Sequence, residues 1–181
     1  MTKHAELRLL LQGAFGGIIH TTNTNSDNDF NSNKITEKCS IAEIIGHLIL
    51  STKAITKGLS TPKTILESTF GKMERGEWTA DQLTDVYQNT LGNGLKAPSA
   101  FTYINANTKG KEKMLSDFAK ELDHLLDALD LWNEYELTEY HLPHPAIAKM
   151  SLKEMILFTE YHTRHHHKQI ITLSQTLQKV S

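Results

Sequence analysis

The chain has 181 residues, with nineteen Lys and Arg against twenty-one Asp and Glu and a formal charge of −2. Hydrophobic residues make up 39% and charged ones 22%, enough apolar material for a single domain over 1–181 and too much for global disorder. The near-neutral balance lacks the basic excess of a nucleic-acid binder, and no apolar run approaches the ~20 residues that cross a bilayer.

The opening stretch, MTKHAELRLLLQGAFGGIIH, carries Glu6 and Arg8 inside its apolar run, which a secretory leader would exclude. It predicts a soluble helix over 3–18 in a cytoplasmic protein, with Leu7, Leu10, Leu11, Ala14 and Ile18 on one face. Gly13, Gly16 and Gly17 weaken its far end. Residues 20–38 are rich in Asn, Thr, Ser and Asp, which favour turns and caps, and read as a long polar connection. Cys39 is the only cysteine, so no intrachain disulfide forms, in keeping with a reducing compartment. With no base placed beside it, Cys39 reads as a small buried residue rather than a nucleophile.

Three capping boxes then mark helix starts: Ser40 with Glu43, Thr79 with Gln82, and Ser151 with Glu154. They predict helices over 40–58, 79–92 and 151–178. A further stretch over 109–131 aligns Met114, Leu115, Phe118, Leu122, Leu125, Leu126 and Leu129. Only AFTYIN (100–105) looks strand-like, and it is too short to build a sheet. The fold class expected is all-α, a four-helix bundle with a short extra helix between the second and third main helices.

Four of the ten histidines fall in YHTRHHHKQI, residues 161–170. The run continues into IITLSQTLQKVS, whose helical composition is unlike the linker beside a purification tag. Leu152, Met155, Thr159, His162, His166, Gln169/Ile170, Leu173 and Leu177 step by three or four, so His162 and His166 sit in the apolar seam one turn apart. His165 and His167 fall about 100° to either side and are expected to be bystanders. In SIAEIIGHLILS, Ile41, Ile44, Leu48, Ser51 and Ile55 mark a face that also carries His47. An imidazole among Ile and Leu is costly to bury unless it is hydrogen-bonded or metal-bound. Three neutral imidazoles with an open position suit zinc, and nickel or iron would also fit. Spacing alone leaves hydrogen-bonded core histidines as the alternative. A zinc-protease reading is poorer, because Thr163 stands where H-E-x-x-H needs its Glu.

Other residues have two readings each. His144 is a fourth ligand or acid–base group, or a loop residue fixed between Pro143 and Pro145. Glu160 is an outer partner of His162 or a solvated helix carboxylate. His124, between Asp123 and Asp127, is expected to face solvent, and Trp78 and Trp132 to pack.

Three segments, CSIAEIIGHL (39–48), PHPAIAKMSLKEMILFTEYH (143–162) and HTRHHHKQI (162–170), resemble the DinB-like superfamily of bacterial metal-binding four-helix bundles. That family's motifs run W-S-x-x-E-x-x-x-H-L, then HP…G-K-L-T, then H-x-x-x-H-x-x-Q-I. Matched residue by residue, the resemblance puts metal ligands on His47, His162 and His166, with Gln169-Ile170 completing the last motif. Cys39 replaces the usual Trp and Ala148 the usual Gly, and neither change removes a ligand. The resemblance implies a divalent metal, zinc first, and a homodimer. It also implies a transferase using a low-molecular-weight thiol cosubstrate with a small-molecule substrate; the alternatives are a non-catalytic metal- or ligand-binding stress-related bundle protein and a metal-dependent hydrolase.

Overall fold

The computed structural model describes residues 2–32, 39–92, 101–102, 109–144 and 147–180. The elements are α1 (Lys3–Asn23), α2 (Asp27–Phe30), α3 (Ile41–Leu59), α4 (Lys63–Phe70), α5 (Ala80–Gly92), α6 (Lys111–Leu129), α7 (Glu136–Glu139), β1 (His141–His144), β2 (Ala148–Ser151) and α8 (Leu152–Val180). Among the described residues no helix is long and apolar enough to cross a membrane.

All three capping boxes form. In each, the N-cap side chain accepts from the third helical amide, and that residue's side chain accepts from the N-cap amide. The closing bonds are Ser40 N–H to Glu43 at 2.7 Å, Thr79 N–H to Gln82 at 2.9 Å and Ser151 N–H to Glu154 at 2.8 Å. Each box therefore fixes where its helix begins.

The first helix runs further than its glycines suggest. It continues to Asn23 because its far end docks on α8: Thr21 Oγ1 lies 2.7 Å from His167 Nε2. A Cβ on Gly17 would stand 2.9 Å from His167 Cε1, so with any other residue there the ring would have to shift. Leu7, Leu11, Ala14 and Ile18 are buried as expected, but Leu10 is 38% exposed. Phe15 takes its place in the core, stacked on Phe118 with ring centroids 4.4 Å apart. Among its described residues the polar connection holds one short helix, α2, which inserts Phe30 into the core; residues 33–38 lie outside the described residues.

Among the described residues two helices, α4 and α5, lie between α3 and α6 where the sequence predicts one. The additional one, α4, buries Leu66 alone along its length, too little apolar signal for periodicity to reveal. Of AFTYIN, Phe101 and Thr102 are described and neither is in a strand; the other four residues lie outside the described residues. A hairpin appears instead, pairing His141 with Ser151, Leu142 with Met150, Pro143 with Lys149 and His144 with Ala148. Four-residue strands containing a proline are too short to show alternation in the sequence.

Packing joins α3 to α6, α1 to α8, α3 to α8 and α1 to α6 around one large core that includes Leu11, Phe15, Leu48, Phe118, Leu125 and Ile170. Each such side chain contributes ~1.5–3 kcal/mol by leaving water. Trp132 packs there too, its indole N–H donating to the Leu59 carbonyl at 2.8 Å. A second, smaller cluster of Leu83, Tyr87, Met150, Met155 and Phe158 lies where α5 and the hairpin meet the start of α8. Glu154 ties this region together. It is 1% exposed, accepts two bonds from Arg75 at 2.8 and 2.7 Å, and accepts the Trp78 amide at 2.7 Å. Burial pushes the Glu154 pKa up, but Arg75 and the Trp78 and Ser151 amides outweigh it and hold the carboxyl below its usual range. Arg75 also stacks 3.6 Å over the Trp78 ring, so Trp78 packs as expected.

Ala148 has φ of +126°, a conformation that costs a Cβ-bearing residue ~1–3 kcal/mol and that glycine adopts freely. This explains the family's glycine at that position. Ala148→Gly relieves that strain and gives back ~0.5–1 kcal/mol in unfolded-chain entropy, for a net gain of about 1 kcal/mol. The expected outcome is a melting temperature ~2–4 °C higher by calorimetry; a lower value would show that the turn is unstrained.

Candidate metal centre

His47 lies on α3 with its capping box seven residues before it, and His162 and His166 lie one turn apart on α8. Their Nε2 atoms converge: His162 Nε2 is 3.2 Å from that of His47 and 3.1 Å from that of His166. The group's ligand atoms all lie within 4.8 Å of one another. Nitrogens bound tetrahedrally at ~2.05 Å would stand about 3.3 Å apart, close to the two short separations.

The outer nitrogens decide what those contacts are. His47 Nδ1 is 2.9 Å from the Phe101 carbonyl, which only accepts, so the proton sits on Nδ1 and Nε2 carries a lone pair. His166 Nδ1 donates in the same way to Gln169 Oε1 at 2.8 Å. One proton on His162 Nε2 can satisfy one of its two neighbours and leaves the other facing lone pair to lone pair. A divalent cation accepts all three at once. The residues present fit such an ion.

Electrostatics points the same way. Burial pushes His47 below its ordinary range, opposed by the Phe101 carbonyl. Burial, with His166 and His47 beside it, holds His162 well below 6.5. Burial pushes His166 down to about 3, with His47 and His165 adding to the effect. All three are therefore neutral at physiological pH, the protonation state that a metal requires.

The remaining histidines divide. His167 lies outside the three-residue group; it packs against Gly17 and Thr21 and joins α1 to α8. His165 lies edge-on to Tyr87 and accepts from the Gln169 amide at 3.0 Å, a closer tie to the group than a bystander would have. His144 is outside the three-residue group; its ring meets Phe158 edge-on at 4.5 Å, and burial pushes it down to about 4. His124 is exposed, with Glu121 at 3.9 Å. Glu160 pairs with Arg164 one turn on and is outside the three-residue group. Cys39 corrects the sequence expectation: it is exposed, although the next two residues, Ser40 and Ile41, are buried. Partial desolvation and the Glu43 carboxylate raise its pKa, so it stays a thiol.

Tyr87 is the residue that the sequence reading missed. Its ring meets Phe158, Tyr161, His162 and His165 edge-on, at centroid distances of 5.1 to 6.2 Å. Burial, with Tyr161 nearby, pushes its hydroxyl up to about 12, so it remains a neutral phenol. The four-residue step from Leu83 to Tyr87 on α5 was the available signal. Phe158 stacks on His162 at 5.4 Å, completing an aromatic wall beside the three nitrogens.

A family model described as the DinB superfamily matches residues 11–170. The chain belongs to the DinB superfamily. No curated protein and no solved structure gives a significant match. DinB-superfamily proteins are in general metal-binding, and this member's histidine triad is a group that could hold an ion.

Proposed function

We propose that this DinB-superfamily chain is a divalent-metal-dependent enzyme, a single four-helix-bundle domain over 1–181 that transfers a low-molecular-weight thiol to an apolar electrophile. His47, His162 and His166 are the ligands, with zinc ahead of nickel or iron for three neutral imidazoles. The convergence of their Nε2 atoms, with two of the outer nitrogens already tied to oxygen acceptors, carries this reading. When bound, the ion supplies a Lewis acid that lowers the pKa of a thiol at neutral pH.

The chain's own residues supply the rest. The Phe101 carbonyl and Gln169 orient two ligand rings, and Tyr87, Phe158 and Tyr161 present an apolar aromatic wall on the His162 side. Such a wall excludes water and suits a hydrophobic acceptor. Among the described residues no carboxylate joins the triad. A nucleophile acidic enough to ionise without a protein base, such as a thiol, therefore suits the site better than water.

The test is a titration of cobalt-substituted protein with glutathione, bacillithiol and mycothiol. Sulfur ligation by one of them is expected to add a charge-transfer band, and the same thiol should support turnover of an apolar electrophile. If none perturbs the spectrum or supports turnover, the transferase reading fails and hydrolase or non-catalytic binding takes its place.

A further inference from the structure

We infer that Gln169 holds His166 in the tautomer that binds metal, and that His165 fixes the Gln169 amide from its other end. This rests on His166 being a ligand through Nε2, as proposed above. An imidazole offers Nε2 as a lone pair only while its proton is on Nδ1. For His47 the acceptor that keeps it there is a main-chain carbonyl, which cannot turn into a donor. For His166 the acceptor is a side-chain amide, Gln169 Oε1, at 2.8 Å.

A side-chain amide has two faces. Turned over, Gln169 would aim its NH2 at His166 Nδ1, which would then have to accept. The imidazole proton would move to Nε2 and occupy the lone pair that a metal needs. The second hydrogen bond opposes this: Gln169 Nε2 donates to His165 Nε2 at 3.0 Å. One amide thus spans two rings, three residues back to His166 and four back to His165, both steps that share a helix face. Gln169 is itself exposed, so these two bonds, rather than core packing, account for its place. Gln169 is a positioning residue, and His165 is its anchor.

The experiment measures two quantities on metal-free wild type, Gln169→Leu, Gln169→Glu and His165→Ala. Nitrogen-15 NMR of the imidazoles gives the His166 tautomer, and competition against a chelator gives zinc affinity. Circular dichroism melts check that each variant folds, which the exposed position of Gln169 and the half-buried one of His165 permit. Wild type should carry its His166 proton on Nδ1. Gln169→Leu should lose that preference and bind zinc ~10–100-fold more weakly, the usual effect of removing an outer hydrogen-bond partner of a ligand. Gln169→Glu, which can only accept while ionised, should restore the Nδ1 proton and at least wild-type affinity. His165→Ala should show a mixture of tautomers and a loss smaller than that of Gln169→Leu.

An unchanged tautomer and affinity in Gln169→Leu would overturn the inference, as would a Gln169→Glu variant no better than the leucine one. If wild type binds no zinc, the metal reading falls by itself. The tautomer measurement on metal-free protein still decides the role of Gln169.

Discussion

Alanine at His162 or His166 is expected to strip zinc from the protein, and alanine at His47 to do the same. Each ring supplies one of three converging nitrogens, and His162 Nε2 lies within 3.2 Å of both of the others. Two remaining imidazoles leave an ion without a closed protein site, so the loss should exceed the ~10–100-fold expected for an outer partner. The measurement is metal content by mass spectrometry, on protein purified without a tag or nickel column and dialysed against limiting zinc. His167→Ala is the control on the same helix. It should keep its metal but melt earlier, because its ring fills the space at Gly17 and bonds Thr21 at 2.7 Å. Equal metal loss in His162→Ala and His167→Ala would mean that the helical phase assigned to α8 is wrong.

Metal-free protein is expected to lose stability steeply as pH falls below about 6.5. His166 is held down to about 3, and His162 well below its ordinary range, chiefly by burial. In the unfolded chain both titrate near ~6.5. Between those limits the unfolded state takes up protons that the native state refuses, so stability rises with pH across this window and is lost on acidification. Each such ring contributes a slope approaching ~1.4 kcal/mol per pH unit, and two together can consume much of a native stability of ~5–15 kcal/mol by pH ~4. Carboxylates with lowered pKa, Glu154 among them, act in the same direction but only near and below their own ordinary range of 4.5. A fall in melting temperature between pH 7 and 5 therefore reports the histidines. Saturating zinc should raise the melting temperature at pH 7, because it binds the folded form alone, and its benefit should fade as protons compete for the rings. A melting temperature that stays flat from pH 7.5 to 5 would contradict the buried, neutral histidines.

Helix starts, helical phase and the choice between neighbouring histidines were written locally. A capping box closes within four residues, and Ser40, Thr79 and Ser151 each cap the helix that their sequence announces. The 100° step per residue is equally local, which is why the seam through Leu152, Met155, Thr159, His162 and Ile170 could be read directly and is buried in the fold. The same phase singled out His162 and His166 from the four histidines of the run.

What the tertiary structure decided is everything that depends on a neighbour distant in the chain. His47 meets His162 across 115 residues, and no spacing rule reaches so far. The sequence understates the extent of α1 because Gly17 is weak in an isolated helix, yet it is where the His167 ring approaches. The hairpin and α4 carry too few residues for a period to emerge, although the two strands of the hairpin pair locally. Tyr87 gained its place beside His162 only when α5 packed on α8. A sequence states what each segment can bury and where it starts. Which buried groups then face one another is settled by packing between segments, and the candidate metal centre is a product of that packing.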